Sequence, residues 1–347
     1  MELIPFAEAI QIAKKENKKI NLLLGNGFSM AWRSDIFGYG ALFDKADFSK
    51  LSPNAKRVFE ALNTKDFESV MKALKSTSEI IKLYSEDTGL YDILLKDAEG
   101  LKEILVKAIA DSHPEHPGEI STEAYHFCKM FLSNFDSIFT LNYDLLLYWT
   151  LMQNEIEPAL NPDDGFRKSK TDQNAPYVTW DINESWSQKI FYLHGALHVV
   201  DAGHEIRKFT WNKTNVKLID QIQQTLQNDD FPLFVSEGES AQKLSRIRHS
   251  DLLTDGYKHF SDSFLPLFIY GHSLDDNDDH ILNLLTHNRI STLFISIYGN
   301  PESENNKRII QKAEFIQEQR ELMKRHKTHL PHLTTYYYDA ESAHVWA

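Results

Sequence analysis

Six short apolar runs, each followed by Gly, Asn, His or Asp, constrain the fold of this chain more than any other feature of its sequence. The runs are rich in β-branched and aromatic residues, and they lie at 20–24, 137–141, 189–193, 266–270, 292–298 and 334–338. Continuously apolar runs, unlike alternating ones, are typical of strands that are buried on both faces, as in a parallel sheet covered by helices. We therefore predict an α/β fold with a doubly wound, mostly parallel sheet.

Helical patterns of apolar residues lie between these runs, at 54–82, 98–132, 214–228 and 302–326. Because the segment 31–132 is too long for one crossover between strands, we predict a helical insertion there, and a second insertion at 205–262. Residues 155–188, which include the sequence NPDDG and scattered polar residues, indicate a long loop. We expect residues 1–347 to form a single domain.

The charge balance and the cysteine count exclude several classes of protein. The chain has 37 Lys and Arg residues against 50 Asp and Glu residues, a net charge of −13, which argues against general nucleic-acid binding. Its one cysteine, Cys128, cannot form an internal disulfide or a four-thiolate zinc site, and it fits a reducing compartment. The polar, amphipathic pattern of residues 1–19 predicts no secretory signal, and no apolar run approaches the roughly 18 residues that a membrane helix needs. We therefore expect a cytoplasmic protein without a membrane span.

The first apolar run is followed by the sequence GNGFS, which comprises Gly25, Asn26, Gly27, Phe28 and Ser29. In open parallel sheets, ligands bind beyond the carboxyl ends of the strands. Glycines there let the backbone approach a phosphate, whose charge is favoured by the start of a following helix. An ordinary tight turn would also place glycines at this point. The dehydrogenase pattern G-x-G-x-x-G is not met, because Met30 occupies its third glycine position.

Polar side chains also follow the second and third apolar runs. Asn142 and Asp144 lie two residues apart in the sequence TLNYD, and on an extended backbone they point the same way. They predict either a polar site or a turn that caps the next helix. His194, in the sequence YLHG, predicts either an acid/base group or a histidine bonded to a loop carbonyl. The intervening glycine argues against a helical metal pair between His194 and His198.

The last two motifs follow later runs. In the sequence YGHSLDDNDDH (270–280), a second ligand-facing turn is predicted at Gly271, His272 and Ser273, followed by aspartates that cap a helix. A calcium-binding EF-hand loop is disfavoured, because His280 and Thr286 occupy the positions that need Gly and Glu. Asn300, in the sequence YGN, follows another run and would suit a sugar or an adenine edge.

Taken in order, GNGFS, TLNYD, YLHG, YGHSLDD and YGN resemble the sirtuin-like NAD-binding fold, over most of residues 20–340. The resemblance is closest to the bacterial sirtuin-like family of unknown function that is related to the NAD hydrolases of phage defence. It implies a Rossmann-like fold, NAD as the substrate and no metal. It also implies roles for particular residues: a phosphate loop at 25–29, a nicotinamide-side pair in Asn142 and Asp144, a catalytic His194, an adenosine-side turn at 271–273 and an adenine-ribose contact at Asn300.

Two departures from the sirtuin pattern argue against protein deacylation. Leu141 stands where sirtuins have Gln, and the four-cysteine zinc module is absent. We therefore expect an NAD+ hydrolase in which Asn142 fixes the ribose and the attacking water, and His194 accepts a proton. In this scheme Asp144 orients the nicotinamide amide or stabilises the developing cation. The alternatives are a non-catalytic NAD or ADP-ribose sensor, a deacylase or ADP-ribosyltransferase, and a dehydrogenase.

An unregulated NAD hydrolase would kill its host, so the resemblance also implies control through homo-oligomerisation or a regulatory partner. The candidate surfaces are the two insertions. The second contains a basic cluster of Lys243, Arg246, Arg248 and His249, which is either a solvated helix face or a contact for a phosphate near residues 236–238.

Overall fold

The structure is a computed structural model that describes residues 3–84, 88–160, 163–170, 172, 174–210, 216–227, 232–235 and 240–347. Its strands, in chain order, are β1 (Asn21–Leu24), β2 (Ser137–Thr140), β3 (Phe166–Lys168), β4 (Tyr177–Trp180), β5 (Ile190–Tyr192), β6 (Val199–Asp201), β7 (Ile206–Phe209), β8 (Leu267–Tyr270), β9 (Thr292–Ile297) and β10 (Thr334–Asp339). Its helices are α1 (Phe6–Glu16), α2 (Gly27–Phe37), α3 (Tyr39–Lys45), α4 (Ala55–Ala61), α5 (Phe67–Tyr84), α6 (Thr88–Ser112), α7 (Thr122–Leu132), α8 (Leu146–Leu151), α9 (Leu218–Gln227), α10 (Ser240–Arg248), α11 (Asp251–Ser261), α12 (Asp279–Leu282) and α13 (Glu304–Lys324).

Six of these strands form a parallel sheet in the order β10-β9-β8-β1-β2-β5. All six coincide with the apolar runs of the sequence, so the prediction of an α/β fold around a parallel sheet is confirmed. From β1 the chain winds outward through β2 to β5. It then returns to the other side of β1 and winds outward through β8, β9 and β10, so that the direction of winding reverses between β1 and β8.

The strands are continuously apolar because successive side chains pack into two different cores. Leu22 and Phe268 lie in one buried cluster, and Leu23, Phe139 and Ile269 lie in the other. All five side chains are buried, as expected for a sheet that helices cover on both faces. Successive side chains of a strand therefore point into two different apolar layers. In an antiparallel sheet with one face in water, they would alternate between an apolar layer and solvent.

Four short antiparallel strands form a second sheet in the order β3-β4-β7-β6, of which β3 and β4 precede β5 in the chain and β6 and β7 follow it. The prediction of a long loop over 155–188 is therefore wrong, since β3 and β4 fall inside it. These strands are only three or four residues long and mix polar with apolar residues, as in FRK (β3) and IRKF (β7), so they give no continuous apolar run. The chain leaves the central sheet after β5 and returns at β8, so the second excursion also begins before residue 205.

The first insertion is helical, as predicted, but it is divided into more helices than the periodicity suggests. The pattern at 54–82 contains a break after α4, where Asn63 adopts the left-handed conformation (φ 48°) that commonly ends a helix. The pattern at 98–132 is interrupted by Pro114 and Pro117, and α7 restarts where the Ser121 side chain accepts a hydrogen bond from the amide of Ala124. No helix within the described part of the chain is long and apolar enough to cross a membrane.

Candidate active site

The pairing of β2 with β5 brings two of the predicted site residues together. Thr140 lies opposite Tyr192 in the parallel register. Asn142 and His194 each follow two residues beyond that pair, so they leave the sheet side by side at its carboxyl edge. Both side chains line the same cleft.

This central cleft has a volume of about 1590 Å³ and lies beyond the carboxyl ends of β1, β2, β5 and β8. It is larger than the roughly 300–1,000 Å³ of common small-molecule pockets, so it can hold an elongated ligand. Most of the predicted site residues line it: Gly25, Asn26, Gly27, Asn142, Asp144, His194, Gly271, His272 and Ser273. The cationic side chains along it are Arg33, Arg308 and Lys312.

Three predicted residues are not among those that line the central cleft. Phe28 is fully buried, with its ring 5.2 Å from that of Trp346. Ser29 is also fully buried. Asn300 lies in the turn before α13, where its Oδ1 accepts a hydrogen bond from the Glu302 amide at 2.9 Å. The neighbouring Asn306 lines the central cleft in its place.

The glycines after β1 have a packing role. The amide of Gly27 donates to the carbonyl of Gly271 at 2.7 Å, and a Cβ on Gly27 would lie 2.5 Å from the Gly271 Cα. Gly271 has a φ of +69°, and a Cβ there would lie 2.6 Å from the Gly27 Cα. A side chain at either position would therefore separate the two turns that follow β1 and β8.

The amides of the GNGFS segment are largely occupied by the protein itself. Those of Gly25 and Gly27 donate to the carbonyls of Tyr270 and Gly271, and those of Phe28 and Ser29 donate to carbonyls of the segment itself. They are not free to bind a phosphate. An anion at this point would depend on the positive end of the α2 dipole.

Ser29 connects the turn after β1 to the turn after β2. Its Oγ donates to Oδ2 of Asp144 at 2.5 Å and accepts from Nδ2 of Asn142 at 3.2 Å. Oδ1 of Asp144 accepts from the amide of Leu146 at 2.8 Å, at the start of α8. Asp144 thus stabilises the turn before α8, whose N-cap is Leu145, and is also part of the cleft wall. Burial raises the pKa of its carboxyl group.

His194 belongs to a buried cluster of five polar side chains, and the sequence analysis had placed only two of them, His194 and His272, in the site. Nε2 of His194 lies 2.8 Å from Nε2 of His280 and 3.8 Å from Oδ1 of Asp278. Oδ1 of Asp278 also contacts Nζ of Lys243 at 3.0 Å, and Oδ2 contacts Nε2 of His272 at 2.9 Å. We call these five residues the histidine cluster.

The environment of the histidine cluster sets its protonation. Burial lowers the pKa of His194 well below 6.5 and that of His280 to about 4, so both rings are neutral near pH 7. Burial alone would raise the pKa of Asp278. The hydrogen bond from His272 and the charge of Lys243 outweigh that effect and hold its pKa well below the usual range. A neutral imidazole pair therefore lies beside a carboxylate that stays ionised.

His194, Asp278 and His280 also offer ligand atoms within 4.8 Å of one another, a spacing that could hold a metal ion. Lys243 disfavours this interpretation, because its ammonium group lies 3.0 Å from the carboxylate oxygen Oδ1. A divalent cation would have to share that oxygen with a buried positive charge. The donor set therefore fits a proton-transfer network better than a metal centre.

The basic cluster of the second insertion is divided by its burial. Lys243 is fully buried in the histidine cluster, whereas Arg246, Arg248 and His249 are exposed, as expected for a solvated helix face. The predicted phosphate contact at 236–238 lies outside the described residues. α10 packs against α12, which explains how Lys243 reaches Asp278.

Comparison with known proteins places the chain in a family. A search of curated proteins gave no match. The family model described as "Domain of unknown function (DUF4917)" matches residues 22–346, which include nearly all of the central sheet and of the cleft lining. The chain therefore belongs to this family of proteins with a domain of unknown function.

Proposed function

We propose that this protein is an NAD+ hydrolase that cleaves the bond between nicotinamide and ribose and releases nicotinamide and ADP-ribose. The observation that carries the proposal is the position of Asn142 and His194, which follow adjacent parallel strands and line one cleft. The strand order supports a Rossmann-like, doubly wound fold, in which ligands bind where the winding reverses. The sirtuin-like resemblance supports NAD as the substrate.

The chemistry needs few groups. Nicotinamide leaves with the electrons of the C–N bond as a neutral pyridine, so its departure requires no proton. Positive charge builds on the ribose, as in other glycosyl transfers. Asn142 donates its Nδ2 to Ser29, which leaves Oδ1 to accept a hydrogen bond from a ribose hydroxyl or from the attacking water. His194 takes the proton that the water loses as its oxygen bonds to the anomeric carbon.

Asp144 receives a different role from the one expected. Both of its oxygens accept hydrogen bonds, from Ser29 and from the amide of Leu146. We therefore assign it to positioning: it holds Ser29, which in turn holds the amide of Asn142. This replaces the expectation that Asp144 itself orients the nicotinamide amide.

The diphosphate of NAD would lie near the start of α2, with Arg308, an exposed residue that lines the cleft, as its cationic partner. Arg33 and Lys312 are less available, because Arg33 pairs with Asp35 at 2.6 Å and Lys312 with Asp279 at 2.7 Å. This arrangement relies on one arginine and a helix dipole more than on a cradle of free amides.

The resemblance extends the proposal to a role in anti-phage defence, in which NAD depletion aborts infection in the cytoplasm. Such an activity requires restraint, through self-assembly or a regulatory protein partner. The first insertion is the candidate surface for that control, since it exposes two large apolar side chains, Leu83 and Tyr84, at the end of α5.

The test is release of nicotinamide and ADP-ribose from NAD, with the purified protein alone and with lysate of phage-infected cells added. We expect Asn142→Ala and His194→Ala to lower the rate by about 10²–10⁴-fold, and the exposed His332→Ala to leave it unchanged. Undiminished turnover in either site variant would refute the assignment. NAD that binds but stays intact in every condition would favour the sensor alternative.

A further inference from the structure

The contact between His194 and His280 is a hydrogen bond in the plane of both rings. The ring planes lie 17° apart and the ring centroids 5.0 Å apart. Two rings stacked face to face could not bring ring atoms closer than van der Waals contact, about 3.5 Å. The two Nε2 atoms are nevertheless 2.8 Å apart, so the rings meet edge to edge through these atoms.

Such a bond between two neutral imidazoles has one donor and one acceptor, so the two rings have opposite tautomers at Nε2. The charge of Asp278 favours a proton on both rings, but of the two only His194 lies within ion-pair distance of it. Oδ1 of Asp278 lies 3.8 Å from Nε2 of His194 and favours a proton on that nitrogen. The backbone carbonyl of Asn277 also favours a proton on His280, although Nδ1 of that ring is buried without a hydrogen-bond partner. When Nε2 of His280 is the acceptor, its Nδ1 carries the proton.

The carboxylate of Asp278 is itself held in place. The amide of Leu274 donates to Nδ1 of His272 at 2.8 Å, so the proton of neutral His272 is on Nε2. That Nε2–H donates to Oδ2 of Asp278, while Lys243 contacts Oδ1. Both oxygens therefore have fixed partners, and the negative charge beside His194 has a fixed position.

We propose that His280 is a positioning residue that holds His194, which lines the cleft, in the tautomer with its proton on Nε2, so that Nδ1 is left unprotonated as the base. The proton lost by the attacking water is then accepted by Nδ1, and Asp278 stabilises the imidazolium that forms. The catalytic part of this inference rests on the proposed hydrolase function. The assignment of the His194 tautomer does not depend on that function.

The tautomer is read directly by ¹⁵N NMR of the full chain labelled at histidine, near pH 7, with the His194 signals assigned by their loss in His194→Ala. We expect Nε2 of His194 to be protonated and Nδ1 to be unprotonated. In His280→Leu, which removes the acceptor, the two nitrogens should show a mixture of tautomers. In His280→Gln, whose amide oxygen can accept the same bond, the wild-type pattern should return.

Nicotinamide release is the second readout. His280→Leu should lower kcat by about 10–100-fold with little change in KM, and His280→Gln should recover most of that loss. The exposed His332→Leu serves as the control for removing a histidine. Thermal unfolding shows whether each variant is folded, and the Gln variant keeps the test decisive if the Leu variant is not.

The outcomes separate the two claims. A wild-type spectrum with Nδ1 of His194 protonated would overturn the positioning role, whether or not NAD is cleaved. The expected spectra in a protein that never cleaves NAD would support the tautomer assignment and reject the hydrolase. Equal kcat in His280→Leu and wild type, with altered tautomers, would reject the catalytic part of the inference.

Discussion

Oγ of Ser29 lies 2.5 Å from Oδ2 of Asp144, and this contact joins the turn after β1 to the turn after β2. The same hydroxyl accepts from the amide of Asn142 at 3.2 Å. Ser29, which was expected to contact phosphate, is therefore buried behind the cleft wall and holds two polar side chains of that wall in place. Because Asp144 is buried, the hydrogen bonds from its partners offset the free-energy cost of removing its carboxyl group from water.

Ser29→Ala tests this arrangement. Removing the hydroxyl leaves a buried carboxyl group without one partner, and we expect the free energy of unfolding to fall by about 1–3 kcal/mol. It also frees the amide of Asn142, so nicotinamide release should fall as well. Urea denaturation and the NAD cleavage assay measure the two effects.

Ser133→Ala is the matched control, because the Oγ of Ser133 is exposed and bonds only a local carbonyl, that of Met130. It should leave both quantities close to wild type. If Ser29→Ala behaved like this control, the hydroxyl would have no role in holding Asn142 and Asp144.

Substitutions at two glycines with similar backbone conformations can distinguish the cost of a left-handed backbone from the cost of a steric clash. Gly271 and Gly299 have φ values of +69° and +67°. A Cβ on Gly271 would lie 2.6 Å from the Gly27 Cα, whereas a Cβ on Gly299 would meet nothing within 4 Å. Gly299→Ala should therefore lower the free energy of unfolding only by the cost of placing alanine in the left-handed conformation, about 1–2 kcal/mol.

Gly271→Ala should cost clearly more than Gly299→Ala in urea denaturation, because the turns after β1 and β8 must move apart. NAD binding by calorimetry should weaken in Gly271→Ala and persist in Gly299→Ala. Equal losses of stability in the two variants would show that the close approach of Gly27 and Gly271 has no energetic importance.

If the protein cleaves NAD as proposed, the histidine cluster sets how the rate depends on pH. Burial lowers the pKa of His194 well below 6.5, although Asp278 opposes the shift, and His280, Lys243 and His272 add to it. A base is active when unprotonated, so a lowered pKa moves the acid limb of the rate profile to lower pH. We expect kcat to be nearly constant from pH 6.5 to about pH 8. An acid limb with its midpoint near 6.5 would indicate a histidine exposed to water instead.

The sequence predicts the central sheet well because its strands other than the edge strand β10 are buried on both faces. The run at 20–24 is apolar at nearly every position for that reason. The second sheet is not predicted from the sequence, because its strands are short and only partly buried. In β7, with the sequence IRKF, only alternate side chains are buried over four residues. Such a short alternation cannot be distinguished from a loop.

The same limit applies to the site. Asn142 and His194 can be predicted because each directly follows a strand, and parallel strands end at one edge. Asp278, His280 and Lys243 cannot, because they reach His194 only through the packing of α10 and α12. The sequence around Asp278 suggests helix caps and gives no sign that Lys243, 35 residues away, forms an ion pair with it.

The stability of the protein should depend on pH through His113, which is buried behind the turn that carries Asp144. Its Nδ1 lies 3.1 Å from the carbonyl of Pro114, and its Nε2 accepts from the amide of Leu145 at 3.0 Å. A second proton would have to go on Nε2 and break the bond to Leu145. Burial accordingly lowers the pKa of His113 from 6.5 to about 4.

A lowered pKa in the folded state means that the unfolded chain binds more protons below 6.5. The contribution of His113 is therefore fully present above pH 6.5 and is lost as pH falls toward 4, by about 3 kcal/mol in all. His113→Gln keeps an acceptor for Leu145 but cannot titrate, so its free energy of unfolding should fall less steeply with acid than that of wild type. Urea denaturation at pH 7 and about pH 5 measures the difference. The exposed His332→Gln should retain the wild-type slope, and an unchanged slope in His113→Gln would show that His113 is not the group that titrates.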